Sequence, residues 1–341
     1  MNSTQVHNHT VPIEAKALSS FDDAATCIEV ECTLWGDLAK PMIVLLGGIS
    51  ATRWALDCHE SEQSGWWNQV INQQSYLSPN DYCFLTFEYF AFADHFINSQ
   101  VNNPPVVTTT DQANILHQIQ ARLSLPLFHA VIGSSYGGMV SLAFAAQYPT
   151  ALQHLVCIAA ADYNSVKSQA LRGIQRQIIQ LGAQQNNEIK AYTALARSLA
   201  MIGYRGEEEL EQRFQSHQPG QALHDVTAYL QHHGDVFAEQ FSVSRYLQLS
   251  QSIDFHCVDT SNIQAKTQLI AISSDQMVPV QLIQNLQQNL TAESYISIID
   301  SHYGHDGFLL ETGQLNQIFQ IFLSENNHDN SERNSCRASG H

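Results

Sequence analysis

The chain has 341 residues, 44% of them hydrophobic and 14% charged, and a formal net charge of −17 at pH 7. Those proportions describe a soluble globular chain able to bury a large core, not a disordered one. The acidic balance argues against nucleic acid as a partner, because phosphate binding needs a basic surface, and no apolar run approaches the roughly 20 residues of a membrane span.

In chain order, Met1 to Thr10 has neither the basic start nor the apolar stretch of a signal peptide, and residues 1–18 read as a disordered leader. An α/β core is expected from residue 19. TCIEVECTLW (26–35) alternates as a strand does, and Gly36 to Lys40 form a turn. PMIVLLGG (41–48) is an almost wholly apolar run ending in glycines, the pattern of a strand buried on both faces. DYCFLTFEYF (81–90) is a further strand. DQANILHQIQARLS (111–124) carries apolar residues at helical spacing, with Thr110 or Asp111 as its cap. LPLFHAVIG (125–133) is strand-like, SLAFAAQYP (141–149) helical, and LQHLVCIAAA (152–161) a strand. Strands alternating with helices imply right-handed crossovers and a mostly parallel sheet flanked by helices.

The alternation stops after Asp162, closing the first part of the core (19–162). Residues 163–255 are Gln-rich and helical, and read as a lid inserted before the sheet resumes. Between Asn164 and Gly206, Lys167, Arg172, Arg176, Lys190, Arg197 and Arg205 face a single acid, Glu188. Such a cationic stretch is either a solvated helix face or a site for an anionic substrate. The second part of the core, 256–324, holds TQLIAISS (267–274), a helix near 280–290, SYISIID (294–300) and a last helix near 307–323. The polar tail, 325–341, reads as disordered. Seven cysteines, Cys27, Cys32, Cys58, Cys83, Cys157, Cys257 and Cys336, show no repeated short spacing. Neither a disulfide framework nor a zinc knuckle is expected, most of these cysteines read as small buried hydrophobes, and a reducing cytoplasm is the natural compartment.

Gly133-Ser134-Ser135-Tyr136-Gly137 matches G-x-S-x-G directly after an apolar strand and at the opening of a helix. The glycines permit the tight strand-to-helix turn that lifts a serine hydroxyl out of a sheet; the plain alternative is an ordinary Gly-rich turn. A serine needs a base to become a nucleophile. Of sixteen histidines, His305 stands in the loop past the last strand, with Gly304 freeing its backbone and a helix following; His302 is its competitor. Asp275 ends the strand before it, completing the order Ser, Asp, His. Its carboxylate would orient His305 and stabilise the imidazolium; alone, it could equally be a turn or cap residue. Together the three predict an α/β-hydrolase fold with Ser135, Asp275 and His305 as nucleophile, acid and base, and a helical lid inserted before the strand that carries the triad Asp. Two backbone N–H groups should form an oxyanion hole, from Tyr136 and Gly48. No metal site is expected, since the triad accounts for the short cluster His302, His305 and Asp306.

LLGGISA (45–51), GWW (65–67), GSSYGGMVSLAFAAQYP (133–149), YLQHHGDVFAEQFSVSRYLQLSQSID (229–254) and HYGHDGFL (302–309) together resemble the homoserine O-acyltransferases of the MetX family. The likeness runs from roughly residue 26 to 323. It implies a cytoplasmic enzyme of methionine biosynthesis that moves an acyl group from acyl-CoA, a co-substrate rather than a resident cofactor, to L-homoserine through an acyl-serine intermediate. It also suggests a homodimer. In ALARSLAMIGYRG (194–206) it places Arg197 on the homoserine carboxylate, although Ala200 stands where the family usually has glycine. Asp306 would hold the substrate ammonium, cap the final helix, or both, with Tyr204 and Arg205 lining the site. GGISA looks like the branch associated with succinyl transfer, so succinyl-CoA is expected over acetyl-CoA, with Arg176 and Arg205 to receive the succinyl carboxylate. The alternatives are serine as acceptor, an esterase or thioesterase with the same triad, and a non-catalytic binding protein of the same fold.

Overall fold

The protein is described by a computed structural model over residues 4–19, 27–58, 62–92, 106–184, 189–215 and 220–324. The proposed tail, 325–341, lies outside the described residues, as does Cys336. Residues 1–3 of the expected leader lie outside them too, but residues 4–18 do not. Val6–Glu14 is a strand, β1, followed by a short 3₁₀ turn at Ala15–Ala17. It pairs antiparallel with β2 (Cys27–Trp35), in register from Val6 opposite Trp35 to Glu14 opposite Cys27. Its polar start, V-H-N-H-T, hides a period-two pattern in which Val11, Ile13 and Ala15 are buried.

The sheet then takes in β3 (Met42–Leu46), β4 (Cys83–Phe87), β5 (Phe128–Ser134), β6 (Leu152–Ile158), β7 (Lys266–Ile272) and β8 (Ser294–Ile299). Its order is β1-β2-β4-β3-β5-β6-β7-β8. From β4 to β8 every pairing is parallel, while β2 meets β4 antiparallel. The apolar runs of β3 and β4 are buried at every residue, as strands covered on both faces must be. One face carries α1 (Thr109–Arg122), α2 (Tyr136–Gln147) and, further along, α8 (Val280–Asn289), through Ile115, Phe144 and Ile283. The other packs Trp35, Trp67 and Phe84 against the C-terminal helix through Phe319 and Phe322.

Two boundaries differ from expectation. Thr108, not Thr110 or Asp111, caps α1; Asp111 is the third helical residue and closes a capping box with it. The last helix is broken at Glu311 into α9 (Gly307–Leu310) and α10 (Thr312–Ser324). Between β6 and β7 the chain forms α3 (Val166–Gln184), α4 (Ile189–Tyr204), α5 (Glu207–Phe214), α6 (Gln221–Gln240) and α7 (Val243–Asp254), the helical insertion expected at 163–255. No helix among the described residues is long and apolar enough to cross a membrane.

Candidate active site

Ser135 sits where β5 turns into α2, with φ 53° and ψ −120°. A residue with a Cβ adopts that region only under strain, which the surrounding backbone must hold. It does so by close approach. A Cβ on Gly133 would stand 2.1 Å from the Gly137 carbonyl oxygen, and one on Gly137 would stand 2.1 Å from that of Leu46. Both glycines of the motif are therefore steric requirements of the turn. The Ser135 amide is further tied to the Ile158 carbonyl at the end of β6, at 2.8 Å.

His305 arrives on the loop after β8, where Gly304 takes φ 66°. Its Nε2 lies 2.7 Å from Ser135 Oγ and its Nδ1 2.6 Å from Asp275 Oδ2. An ionised carboxylate only accepts, so Nδ1 carries the proton and Nε2 is free to take the serine's. The other oxygen of Asp275 accepts the Met277 and Val278 amides at 2.8 and 3.0 Å. Burial works against a charged His305 ring, but the Asp275 carboxylate outweighs it and holds the imidazole above its ordinary value. His302 lines a different, polar surface hollow, away from Ser135.

The oxyanion candidates have supporting geometry. The Gly47 carbonyl accepts from the Gly137 amide at 2.9 Å and from the Tyr89 hydroxyl at 2.8 Å. Carbonyl and N–H point opposite ways across a trans peptide, so pinning the Gly47 oxygen turns the Gly48 N–H the other way. Gly48 lines the same cavity as Ser135. Tyr136 is the first residue of α2, where a helix leaves its amides unpaired. Its side chain points away, into the core, with its hydroxyl 2.9 Å from Ser252 Oγ.

A cavity of about 210 Å³ joins Gly48, Ser135 and His305 to Arg197, Tyr204 and Asp306. The Tyr204 ring lies over His305, with centroids 5.9 Å apart. Arg197 packs its guanidinium over Phe237 at 4.6 Å and Tyr204 at 5.2 Å. No carboxylate among the described residues lies within ion-pair distance of it. Asp306 holds the N-cap position of α9, but its side chain makes no cap bond. Burial lifts its carboxyl above the ordinary value, against the pull of Arg205, His305 and Arg197.

Arg205 is not part of the lining. Its guanidinium is turned to Glu209 at 3.3 Å and Asp306 at 3.6 Å. Arg176 is also committed, to Asp254 at 2.6 Å and to Ser250 Oγ at 2.9 Å. Both already have carboxylate partners, where the sequence suggested receivers for a substrate carboxylate; Arg205 Nε is buried without a partner among the described residues. Partners distant in the chain take up most of the cationic stretch, Lys190 pairing with Glu239 at 2.6 Å. Arg172, Asn164 and Trp66 do line the cavity, and sequence reasoning did not place them there. Arg172 had a signal in the cationic stretch and Trp66 in the GWW pair; Tyr89 had none. The described residues contain no group of three metal-ligating side chains.

The family model described as alpha/beta hydrolase fold matches residues 41–312. Over 293 residues the chain is 29% identical to a homoserine O-succinyltransferase of Xanthomonas campestris pv. campestris, covering 85% of this chain and 77% of the relative. It is 28% identical over 360 residues to a homoserine O-acetyltransferase of Methanocorpusculum labreanum, covering 94% and 73%. Among solved structures, esterase E22 superposes with a TM-score of 0.80 at 17% identity, over 94% of this chain and 100% of that one. At that identity the likeness is one of fold.

Proposed function

The chain belongs to the alpha/beta hydrolase fold family, and on that footing we propose that it is an acyl-CoA-dependent homoserine O-acyltransferase. Ser135 Oγ attacks the thioester carbonyl carbon as His305 Nε2 takes its proton. The carbon–sulfur bond breaks, the proton passes to the leaving thiolate, and CoA departs as the free thiol. The resulting acyl ester on Ser135 is attacked by the homoserine hydroxyl, whose proton goes to Nε2 and then to the released serine oxygen. The Gly48 and Tyr136 amides face the oxyanion formed at each step. Asp275 holds the ring and stabilises the imidazolium.

One observation carries the acceptor. Arg197 and Asp306 both line the cavity of Ser135 and His305, a cationic and an acidic side chain not paired with each other, the complement of an amino-acid zwitterion; Asp306 is also met by Arg205 at 3.6 Å. An esterase acting on uncharged esters has no use for that pair. Relatives named for homoserine acyl transfer support the same reading, and the pathway it serves is methionine biosynthesis. The donor is either succinyl-CoA or acetyl-CoA, and we favour succinyl-CoA.

The test follows thiol release from succinyl-CoA and acetyl-CoA, each with homoserine, serine or no acceptor. Fast release that requires homoserine supports the transferase. Release that requires serine keeps the mechanism and changes the acceptor. Equal release without any acceptor makes water the acceptor and replaces the transferase with a hydrolase.

A further inference from the structure

The proposed chemistry gives roles to Ser135, His305, Arg197 and Asp306, but none to the remaining charged group of the cavity, Arg172. It is 7% exposed and rises from α3. Its Nε donates to Asp254 Oδ1 at 2.7 Å and its Nη2 to Asn164 Oδ1 at 3.2 Å. Asp254 also takes Arg176 at its other oxygen. Two guanidiniums thus share one carboxylate. A guanidinium has five N–H donors, and those that Arg172 does not give to Asp254 and Asn164 find no acceptor among the described residues. Those donors are not sealed in the protein, and Arg172 lines the cavity, so an anion bound there can complete the shell of a cation that shares its carboxylate with a second arginine.

The surroundings specify what that anion is attached to. The Asn164 amide that reaches Arg172 also donates to the Ile253 carbonyl. Ser168, one helical turn before Arg172, donates to the Met277 carbonyl at 2.7 Å. Ile253 and Met277 line the cavity on this side, with Met139 and Val278. The cavity lining therefore combines these apolar side chains with a cation. Arg197, by contrast, shares the cavity with Asp306, whose ion pair among the described residues is with Arg205, and the two suit a ligand with both charges. At Arg172 the neighbouring carboxylate is already held by two arginines, so nothing remains to receive an ammonium.

We propose that Arg172 determines donor specificity, binding the terminal carboxylate of a dicarboxylic monoacyl thioester of succinyl type. The methylene chain lies along Met139, Ile253, Met277 and Val278, and the thioester carbon is presented to Ser135. The identity of the reaction rests on the transferase reading above; the charge and shape of the donor site do not.

The experiment measures kcat/KM for succinyl-CoA, butyryl-CoA and acetyl-CoA, with and without homoserine, in the wild type, Arg172→Met and Arg172→Lys. Butyryl has the length of succinyl without its charge. Wild type should prefer succinyl-CoA to butyryl-CoA, and Arg172→Met should lower that ratio by roughly 10- to 100-fold. Arg172→Lys should fall between, because a point charge replaces a fork. If Arg172→Met does not fold, the fall of the ratio in Arg172→Lys decides. Wild-type preference for butyryl-CoA or acetyl-CoA overturns the proposal, and so do variants that slow all three donors alike. A ratio that responds to Arg172 while homoserine changes nothing sustains the donor site and defeats the transferase. Homoserine dependence with an indifferent ratio does the reverse.

Discussion

Asp275 shows how much a single residue can hold in place. Its two oxygens divide their work, one on the His305 ring and one on the Met277 and Val278 amides. Asp275→Asn keeps the shape and removes the charge that raises His305. The acid limb of the pH dependence of kcat/KM should therefore move to lower pH, while kcat falls about 10⁴-fold through the wrong tautomer. An unmoved limb would mean that another group sets it. Arg197 makes a separable prediction. Arg197→Met should raise KM for homoserine roughly 10- to 100-fold and KM for the acyl donor far less; initial-rate kinetics with each substrate varied in turn would show it, and equal effects would take Arg197 off the acceptor. The triad was legible in the sequence because its three members carry local signals: glycines around Ser135, a strand end at Asp275, a Gly-framed loop at His305. Tyr89 carried no such signal, and Arg172 only its place in the cationic stretch. What they do depends on atoms brought near from elsewhere, the Gly47 carbonyl and the carboxylate of Asp254.

Elements meet at a buried histidine where the lid rejoins the core. His256, just past α7, has its Nδ1 2.8 Å from Thr109 Oγ1 at the start of α1 and its Nε2 3.0 Å from the Ala161 carbonyl beyond β6. Burial pushes its pKa down to about 4. A base whose folded value is depressed is neutral when folded. Its contribution is present in full above the unfolded value near 6.5 and is lost as pH falls through about 4. The difference corresponds to about 3 kcal/mol. His256→Gln retains hydrogen-bonding groups without titrating, so urea midpoints of wild type and variant should converge as pH drops from 7 to 4. Parallel midpoints would show that acid acts elsewhere. The strands around this seam were readable as short apolar runs between turn signals. The edge strand β1 was not, since His7, Asn8, His9 and Thr10 mask its alternation and only its pairing with β2 organises it.

At the scale of the whole molecule, the proposed mechanism requires the lid and the core together to keep water from an acyl ester on Ser135, since admitted water would make the proposed transferase a hydrolase. The insertion was legible as a break in strand–helix alternation. Its charge was not, because the acids that neutralise it, Glu209, Glu239 and Asp254, come later in the chain. The lid closes on the core at the turn that carries His305, which α4 touches. There Gly206, between α4 and α5, crosses so closely that a Cβ on it would stand 1.9 Å from the His302 carbonyl oxygen. Gly206→Ala must push the lid off this turn, since backbone on both sides leaves no side chain to give way. The acyl-enzyme should then divide differently between homoserine and water. Partition is decided after CoA has left, so a slower acylation caused by disturbance of His305 cancels from it. Product ester and free acid, quantified from the same reaction at fixed homoserine, give the ratio directly. It should shift towards free acid by several-fold in Gly206→Ala, in the range of about 1 kcal/mol of altered access. An unchanged ratio with a lower rate would place the water barrier elsewhere, on the core side around Trp66 and Gly48 rather than at the lid.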